Sequence, residues 1–331
     1  MSHFSIDSLH SRGFFSMKNE KITYKSADKK HMINAIEWSP DNGVEPIAVL
    51  QIAHGITEHI GRYEAFAKYL TSKGFVVVAN DHLGHGMSGA ADNGPTMYFG
   101  TQGSWWYVVK DMNTLFEKTK AKYPDLPYGM LGFSLGSYLV RTYLIDYPGN
   151  VDAAIIMGSG DKSKVEIGLG LFAAWIGKVK DGDNGESDLI DDLAFGVYNK
   201  HFEPQTTEFE WLCSDRKAIN QYVGDRLRGH NVTPGLFREM LRGMSYVAEP
   251  KNLVKMWRKL PVLVISGEED PVGDFGNAVG KTYTNFIRAG VRDTTLVMYP
   301  GLRHDLLHET EHKKVYEDVY SWINSKLLRA R

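Results

Sequence analysis

Short runs of consecutive apolar residues alternate along the chain with longer segments of helical periodicity. Residues 47–53 and 75–79 are continuous apolar runs of strand length, which is typical of strands buried on both faces of a sheet. Between them, the apolar positions of residues 62–72 have helical spacing, and Gly74 follows as a helix terminator. The later segments of the alternation are helices over 105–123, 275–289 and 309–328, and strands from 128 and over 151–157, 261–267 and 294–299. This order predicts an α/β fold with a mostly parallel, doubly wound sheet and helices on both faces.

The first forty residues depart from this alternation. Residues 1–19 show no clear period, and we expect them to form an N-terminal arm that docks through Phe14 and Phe15. From residue 21 to 38, two segments of alternating apolar and polar residues flank the polar residues 27–30. Such a pattern predicts an antiparallel hairpin ahead of the parallel strands.

A long helical segment interrupts the strand and helix alternation after residue 158. About 100 residues follow without a convincing strand pattern, and residues 209–223 and 237–247 have the periodicity of amphipathic helices. We therefore predict a core domain made of residues 20–158 and 260–331. Residues 159–259 are predicted to form a helical cap or lid over the strand ends.

The candidate chemistry begins where the strand that starts at Tyr128 turns directly into a helix. The turn has the sequence Gly132-Phe133-Ser134-Leu135-Gly136, and a G-x-S-x-G pattern between a strand and a helix predicts a nucleophile elbow. Glycines two positions on either side of Ser134 allow neighbouring backbone to pass without a Cβ clash. The Ser134 Oγ is then exposed, and the N–H of Leu135 points to where an oxyanion would form.

An activated serine needs a base and a group that orients the base, and both are expected at the carboxyl ends of strands. Asp270 follows the strand predicted over 261–267, and His304 follows the last predicted strand. The order Ser134, Asp270, His304 is that of an α/β-hydrolase triad. Three further carboxylates near Asp270 stay open as alternatives, namely Glu268, Glu269 and Asp274.

The second oxyanion donor is expected after the strand predicted over 47–53, where the N–H of Ile56 is the candidate. Farther along the chain, His308 and His312 follow His304 at intervals of four. That spacing can gather a metal ion on a helix, but no acidic third ligand accompanies it, so we predict no metal site. Both histidines are instead expected on an exposed helix surface.

Several motifs together resemble one family of α/β-hydrolases. They are His54-Gly55-x-x-Glu58-His59, Gly61-Arg62-Tyr63, Asp81-x-x-Gly84-His85-Gly86-x-Ser88, the serine turn, Asp270-Pro271-Val272 and the loop around His304. The set resembles the monoglyceride lipase and lysophospholipase group, which also carries the heading serine aminopeptidase, over about residues 21–328. The resemblance implies a serine esterase without a cofactor that acts on a monoacyl lipid, with residues 81–88 as a structural loop. His54 and Gly55 are expected to contact substrate. One departure is the more basic segment 225–230, which bears on head-group preference.

The apolar, glycine-containing stretch at residues 167–176 has two functional interpretations. Leu171, Phe172 and Trp175 are predicted to contact the acyl chain in a channel, or the stretch touches a membrane surface transiently. A helix that merely packs on the core is the structural alternative. Rival functions are a short-chain or aryl-ester carboxylesterase, a proline iminopeptidase-type enzyme that binds an amine through Asp188, Asp191 and Asp192, and a silent binding protein.

Composition excludes several other classes of protein. The chain has 331 residues, 43% of them hydrophobic and 24% charged, which is ordinary globular material. A net charge of −2 without a basic cluster gives no reason to expect a nucleic-acid partner. The single cysteine, Cys213, fits a reducing compartment. The sequence shows no secretory leader pattern and no apolar run of about 18 residues, so we expect a cytoplasmic protein of undetermined oligomeric state.

Overall fold

The computed structural model describes residues 17–41, 43–88 and 95–328, which form one eight-stranded sheet with helices on both faces. The strands are β1 (Met17–Lys25), β2 (Met32–Pro40), β3 (Ala48–Ala53), β4 (Phe75–Asn80), β5 (Tyr128–Phe133), β6 (Ala153–Met157), β7 (Pro261–Gly267) and β8 (Asp293–Tyr299). Their spatial order is β1-β2-β4-β3-β5-β6-β7-β8. Strand β2 pairs antiparallel with both β1 and β4, and the remaining pairs of the sheet are parallel. The predicted sheet is confirmed.

Ten α-helices complete the described chain. They are α1 (Glu64–Thr71), α2 (Trp105–Lys122), α3 (Leu135–Asp146), α4 (Lys164–Asp181), α5 (Asp188–Ala194), α6 (Arg216–Val223), α7 (Pro234–Ala248), α8 (Pro250–Leu253), α9 (Asn277–Arg288) and α10 (His312–Leu327). Helices α4 to α8 all lie between β6 and β7, within the residues predicted to form a cap. None of the helices in the described residues is long and apolar enough to span a bilayer.

The central parallel strands are buried along their whole length because each has a hydrophobic core on both sides. In β3, Val49 belongs to the core that also contains residues of α2 and α3, whereas Leu50 belongs to the core that contains residues of α1 and α10. Successive side chains of a strand point to opposite faces, so a continuous apolar run supplies both cores. This double burial explains why these strands could be predicted from the sequence.

The hairpin begins earlier than predicted. Strand β1 starts at Met17, which pairs with Pro40 at the end of β2, so residues 17–19 belong to the sheet and not to an arm. The remainder of the predicted arm, with Phe14 and Phe15, lies outside the described residues.

The inserted segment also has one helix shorter than predicted. Only Arg216–Val223 of residues 209–223 is helical, because the Asp215 side chain accepts hydrogen bonds from the N–H groups of Lys217 and Ala218 and thereby caps the helix. Trp211 and Leu212, in the turns before this cap, are buried in a small separate apolar cluster. Their apolar character therefore reflects burial in a turn rather than one face of a helix.

Candidate active site

Ser134 occupies the turn between β5 and α3 and has a φ of 51°. Its N–H donates to the Met157 carbonyl at 2.9 Å, which ties the turn to β6. A Cβ at Gly136 would overlap the carbonyl oxygen of Ala53, and one at Gly132 would overlap that of Gly136. The flanking glycines are therefore required by close backbone approach, as the sequence motif predicts.

The three residues of the predicted triad lie together at the carboxyl ends of the strands. His304 Nε2 is 2.9 Å from Ser134 Oγ, and His304 Nδ1 is 3.0 Å from each carboxylate oxygen of Asp270. Asp270 is fully buried, and it also accepts hydrogen bonds from Ser266 Oγ at 2.7 Å and from Val272 N–H at 2.9 Å. This geometry lets His304 accept the Ser134 proton while Asp270 orients the ring.

The environment of Asp270 distinguishes it from the three neighbouring carboxylates. Burial alone would raise the pKa of Asp270, but His304 and the donors from Ser266 and Val272 outweigh that effect and lower it. The alternatives left open by the sequence, Glu268, Glu269 and Asp274, are all exposed. Among these carboxylates, Asp270 alone accepts a hydrogen bond from His304 in the described chain.

His304 is enclosed by aromatic side chains from the sheet and from the inserted segment. The Phe133 ring centroid lies 4.9 Å from that of His304, and the Trp211 centroid lies 5.3 Å from it. Gly158, at the end of β6, has a φ of 59° and leaves room for the imidazole, because a Cβ there would lie 2.9 Å from His304 Cε1. The inserted segment therefore forms part of the wall around the base.

The second candidate oxyanion donor, Ile56, lies in the loop after β3. Within the described residues, neither its N–H nor that of Leu135, the first residue of α3, has a hydrogen-bond acceptor. The loop is held by Glu58, whose Oε1 accepts from Gly55 N–H at 2.5 Å and from Tyr63 OH at 2.7 Å. Two amides without acceptors, one of them on the residue that follows Ser134, are suited to bind a developing oxyanion.

A buried ionic network links this loop to the His304 loop, and the sequence did not reveal it. Arg62 Nε contacts Glu58 Oε2 at 2.8 Å, and Arg62 Nη2 contacts Asp305 Oδ2 at 2.7 Å. Burial would raise the pKa of Asp305, but His308 and Arg62 hold it well below its usual range. Only the Glu58 and Arg62 pair, four residues apart, carries a sequence signal for this network.

The expectation that His308 lies on an exposed helix surface is wrong. Its Nδ1 is 2.9 Å from Asp305 Oδ1 and its Nε2 is 3.0 Å from the Arg62 carbonyl, so the ring joins the same network. His312 begins α10, and its Nδ1 is 2.7 Å from the Glu309 carbonyl. Within the described residues, no group of three His, Cys, Asp or Glu side chains is arranged to hold a metal ion.

The structure argues against direct substrate contact by His54. The side chain is fully buried, with Nδ1 2.7 Å from the Gly55 carbonyl and Nε2 accepting from the His82 N–H at 2.9 Å. The His54 ring stacks on that of His82 at 3.9 Å. Gly55 is buried as well, so both residues shape the loop from within. The predicted structural role of residues 81–88 agrees with this, since Asp81 accepts from the N–H groups of Ile60 and Met87.

The α4 residues predicted to contact an acyl chain do not line the cavity that lies between the loop after β3 and the inserted segment. Phe172 and Trp175 are each 59% exposed and stack on one another with centroids 5.8 Å apart. Leu171 is half-buried and packs against the larger hydrophobic core. The structure therefore does not bring these three side chains together around an acyl channel.

A cavity of about 840 Å³ lies instead between the oxyanion loop and the inserted segment. Its lining includes Thr57, the residue after Ile56, and Phe195, which stacks on Trp211 at 5.8 Å. The other lining residues are mostly polar or charged: Asp188, Asp191, Asp192, Gly196, Asn199, Gln205, Thr206, Thr207, Glu208, Phe209, Arg228, His230 and Asn231. The volume is in the range of small-molecule sites.

Comparison with known proteins identifies the family to which such a site is related. Residues 44–311 match the family model described as serine aminopeptidase, S33. A monoacylglycerol lipase of Mycolicibacterium smegmatis is 29% identical over 293 residues, which are 88% of this chain and 92% of that protein. A human monoglyceride lipase is 25% identical, with 94% of each chain covered. The crystal structure of a thermostable carboxyl esterase from Bacillus coagulans superposes with a TM-score of 0.84 at 26% identity, covering 95% of this chain and 100% of that one.

Proposed function

Because this chain belongs to the serine aminopeptidase S33 family and has the α/β-hydrolase fold, we propose that it hydrolyses the ester bond of a monoacyl lipid through an acyl-enzyme on Ser134. The substrate is a monoacylglycerol or a lysophospholipid. The observation that carries the proposal is the 2.9 Å distance from His304 Nε2 to Ser134 Oγ, in line with the buried Asp270. The names of the relatives, a monoacylglycerol lipase and a monoglyceride lipase, support the substrate class.

The proposed reaction uses only groups of this chain and water. Ser134 Oγ attacks the ester carbonyl as its proton passes to His304 Nε2, and Asp270 stabilises the imidazolium. The N–H groups of Ile56 and Leu135 donate to the oxyanion of the tetrahedral intermediate. Collapse expels the alcohol, which takes the proton from His304, and water then repeats the two steps on the acyl-enzyme. A cytoplasmic location and the absence of a cofactor are part of the proposal, as the sequence predicts.

The proposal includes transient contact with a lipid surface through α4. Apolar side chains recur along this helix at intervals of three and four residues, and all of them are exposed: Val165, Leu169, Phe172, Ile176 and Val179. We call this set, with the neighbouring Trp175, the α4 stripe. A continuous apolar stripe on the outer face of an amphipathic helix is suited to lie on a membrane surface.

A short-chain or aryl-ester carboxylesterase is the second candidate function. It is favoured by the likeness to the Bacillus coagulans carboxyl esterase and by the polar lining of the large cavity. The two candidates differ in how activity depends on acyl-chain length. Each methylene buried on binding contributes about 0.8 kcal/mol, which corresponds to about fourfold in kcat/KM.

Substrate profiling tests the proposal. We expect kcat/KM on p-nitrophenyl esters to rise from acetyl to at least octanoyl, and monoacylglycerol or lysophospholipid to be cleaved faster than triacylglycerol or a prolyl arylamide. A profile that peaks at acetyl and falls by hexanoyl would favour the carboxylesterase. Preferential cleavage of the prolyl arylamide would instead favour a peptidase.

A further inference from the structure

One guanidinium in the large cavity is buried without a carboxylate partner. Arg228 is 8% exposed and lines the cavity. Its guanidinium contacts the rings of Phe209 and Tyr222, with the guanidinium carbon 4.8 Å and 5.0 Å from the two centroids. Its Nε has no hydrogen-bond partner among the described residues, and Nη2 is 3.3 Å from Nδ1 of His230.

Burying the Arg228 guanidinium costs free energy unless an anion pairs with it. Taking a charge out of water is unfavourable without a paired, hydrogen-bonded counter-charge. The salt bridges of the described chain include none to Arg228, although other arginines of the inserted segment, such as Arg216 and Arg238, are paired with carboxylates. The planar fork of a guanidinium matches phosphate oxygens in particular.

Negatively charged side chains also line this cavity. Asp188, Asp191 and Asp192 of α5 line it together with Glu208. Burial, followed by the charges of Asp188, Glu208 and Asp192, raises the pKa of Asp191. Arg228 does not neutralise this group of carboxylates. The cavity therefore has a cationic pole at Arg228 and an anionic pole on α5 and Glu208.

Contacts of the cavity lining connect the cavity to the oxyanion loop and to the candidate triad. Thr57 lines it, directly after the candidate oxyanion donor Ile56, and Thr57 Oγ1 is 2.7 Å from the hydroxyl of Tyr222, whose ring contacts Arg228. On the other side, Phe195 stacks on Trp211, which contacts the His304 ring. A leaving group that carries its own charges would thus pass from the triad into this cavity.

We propose that this cavity binds a zwitterionic phosphodiester head group, with the phosphate on Arg228 and the ammonium on the carboxylates of α5 and Glu208. The inference rests on the proposed function and specifies its substrate as a lysophospholipid of the phosphocholine or phosphoethanolamine class. A neutral glycerol would leave both poles without a partner. An anionic phosphate monoester would satisfy Arg228 but would be repelled by the acidic pole.

The test measures kcat/KM on four substrates that carry the same lauroyl chain, each below its micelle concentration: monolauroylglycerol and the lauroyl forms of lysophosphatidic acid, lysophosphatidylcholine and lysophosphatidylethanolamine. Arg228→Gln should lower the values for the three phosphate-bearing substrates by about tenfold or more, since a hydrogen bond to a charged group is lost. Hydrolysis of monolauroylglycerol should fall by a much smaller factor, and the thermal unfolding midpoint reports whether the variant is folded. Arg226→Gln, which removes an exposed arginine two residues away, is the matched control.

A triple variant, Asp188→Asn with Asp192→Asn and Glu208→Gln, tests the acidic pole separately. It should lower kcat/KM for the choline and ethanolamine substrates severalfold and raise it for lysophosphatidic acid. The inference is overturned if Arg228→Gln affects all four substrates equally or none, or if the wild type cleaves only monolauroylglycerol, a result that leaves the proposed function intact. Failure of the wild type to cleave any of the four would overturn the proposed function itself.

Discussion

Two residues with left-handed backbone flank the candidate oxyanion site. Ser134 has a φ of 51° and Thr57 has a φ of 56°. Non-glycine residues adopt this region at a cost of about 1–3 kcal/mol, and such strain is concentrated at functional sites. Here each strained residue adjoins one of the two amides without an acceptor, Leu135 after Ser134 and Ile56 before Thr57. Each strained residue therefore fixes the backbone next to one of the two candidate oxyanion donors.

The carboxylate that orients His304 can be tested against its own neighbour. Asp270→Asn should lower kcat/KM on a p-nitrophenyl ester by a factor on the order of 10⁴, because an amide neither stabilises the imidazolium nor selects the same tautomer. Asp274→Asn, four residues away and exposed, should leave the rate within about twofold. If Asp274→Asn or Glu269→Gln is crippled while Asp270→Asn is near wild type, the orienting acid is wrongly assigned.

Arg62 offers a test of the network that holds the oxyanion loop. Arg62→Gln leaves the buried Glu58 without its counter-charge and leaves Asp305 with only the His308 ring, so we expect a loss of about 3–5 kcal/mol in the free energy of unfolding. We also expect kcat to fall about tenfold or more with little change in KM, since a displaced Ile56 amide affects the transition state more than the bound ester. Urea unfolding and steady-state kinetics measure the two effects.

The control for Arg62 is Arg288→Gln, which removes an exposed arginine at the end of α9. Loss of stability with kcat preserved would mean that the network has no part in positioning the oxyanion loop. Unchanged stability would contradict the ionic network itself.

At the residue scale, local motifs were sufficient for some positions and not for others. Ser134 stands out through its flanking glycines, and Asp270 and His304 through their places after consecutive strands. The choice of Asp270 over Glu268 depends on burial, which the sequence pattern does not resolve at adjacent polar positions. Arg62 and Asp305 are separated by 243 residues, so only the folded chain reveals their contact. His54 is predicted from its motif to contact substrate, but its side chain is buried within the loop.

At the element scale, the α4 stripe is the feature whose role is most open to direct measurement. Phe172→Asp with Trp175→Asp places two charges on this face, and we expect partitioning onto lipid vesicles to fall about tenfold or more. Hydrolysis of a dissolved short-chain ester should be unchanged, because neither side chain lines the cavity. Vesicle co-sedimentation measures the first effect and a soluble p-nitrophenyl ester the second.

Val254→Asp is the matched control, since it places a charge on an exposed apolar residue outside α4. Equal vesicle binding by wild type and the double variant would contradict the proposed surface contact. A loss of soluble-ester activity in the double variant would instead indicate that α4 belongs to the site.

The bounds of an element were predicted well where its apolar residues have a single cause of burial, and poorly where neighbouring apolar residues are buried for different reasons. The strands β3 and β4 are apolar throughout because both faces are buried, and their predicted bounds differ from the observed ones by one residue. Helix α6 was predicted too long because Trp211 is apolar for a different reason, its packing in a turn beside His304. Helix α10 begins at His312 rather than at Glu309, whose carboxylate accepts hydrogen bonds from Ser214 and from Arg303 N–H.

At the scale of the whole molecule, a cluster of three buried histidines links stability to pH. His54, His82 and His85 have no exposed surface. Burial, with the mutual repulsion of the rings, lowers the pKa of His82 to about 3, and burial lowers that of His85 to about 4. In the unfolded chain both titrate near about 6.5. Between these values the unfolded state binds more protons, so the free energy of unfolding falls as the pH falls.

We expect each of these two histidines to contribute about 1.4 kcal/mol per pH unit to this loss between about pH 6 and 4.5. His85→Phe, which keeps a ring beside Phe99 but cannot bind a proton, should reduce the slope by one such contribution. Urea unfolding at several pH values provides the measurement, with His201→Gln as a control at an exposed histidine. A slope that is the same in wild type and His85→Phe would mean that His85 is not held neutral by burial.

The whole fold was more accessible from the sequence than the substrate site, because a parallel sheet and its inserted segment leave a periodic signal in the chain. The large cavity has no such signal, since it is assembled from Thr57, α5 and the segment around Arg228. Its acidic and basic residues were noted in the sequence as separate features. Their presence on one cavity wall follows only from packing.

We propose that ester hydrolysis proceeds through Ser134, and the rate at which Ser134→Ala hydrolyses monolauroylglycerol is the decisive measurement. We expect the wild type to cleave this substrate and the variant to lose a factor on the order of 10⁶ in kcat, with an unchanged thermal unfolding midpoint. A folded Ser134→Ala variant that retains more than a few per cent of the wild-type rate would contradict it.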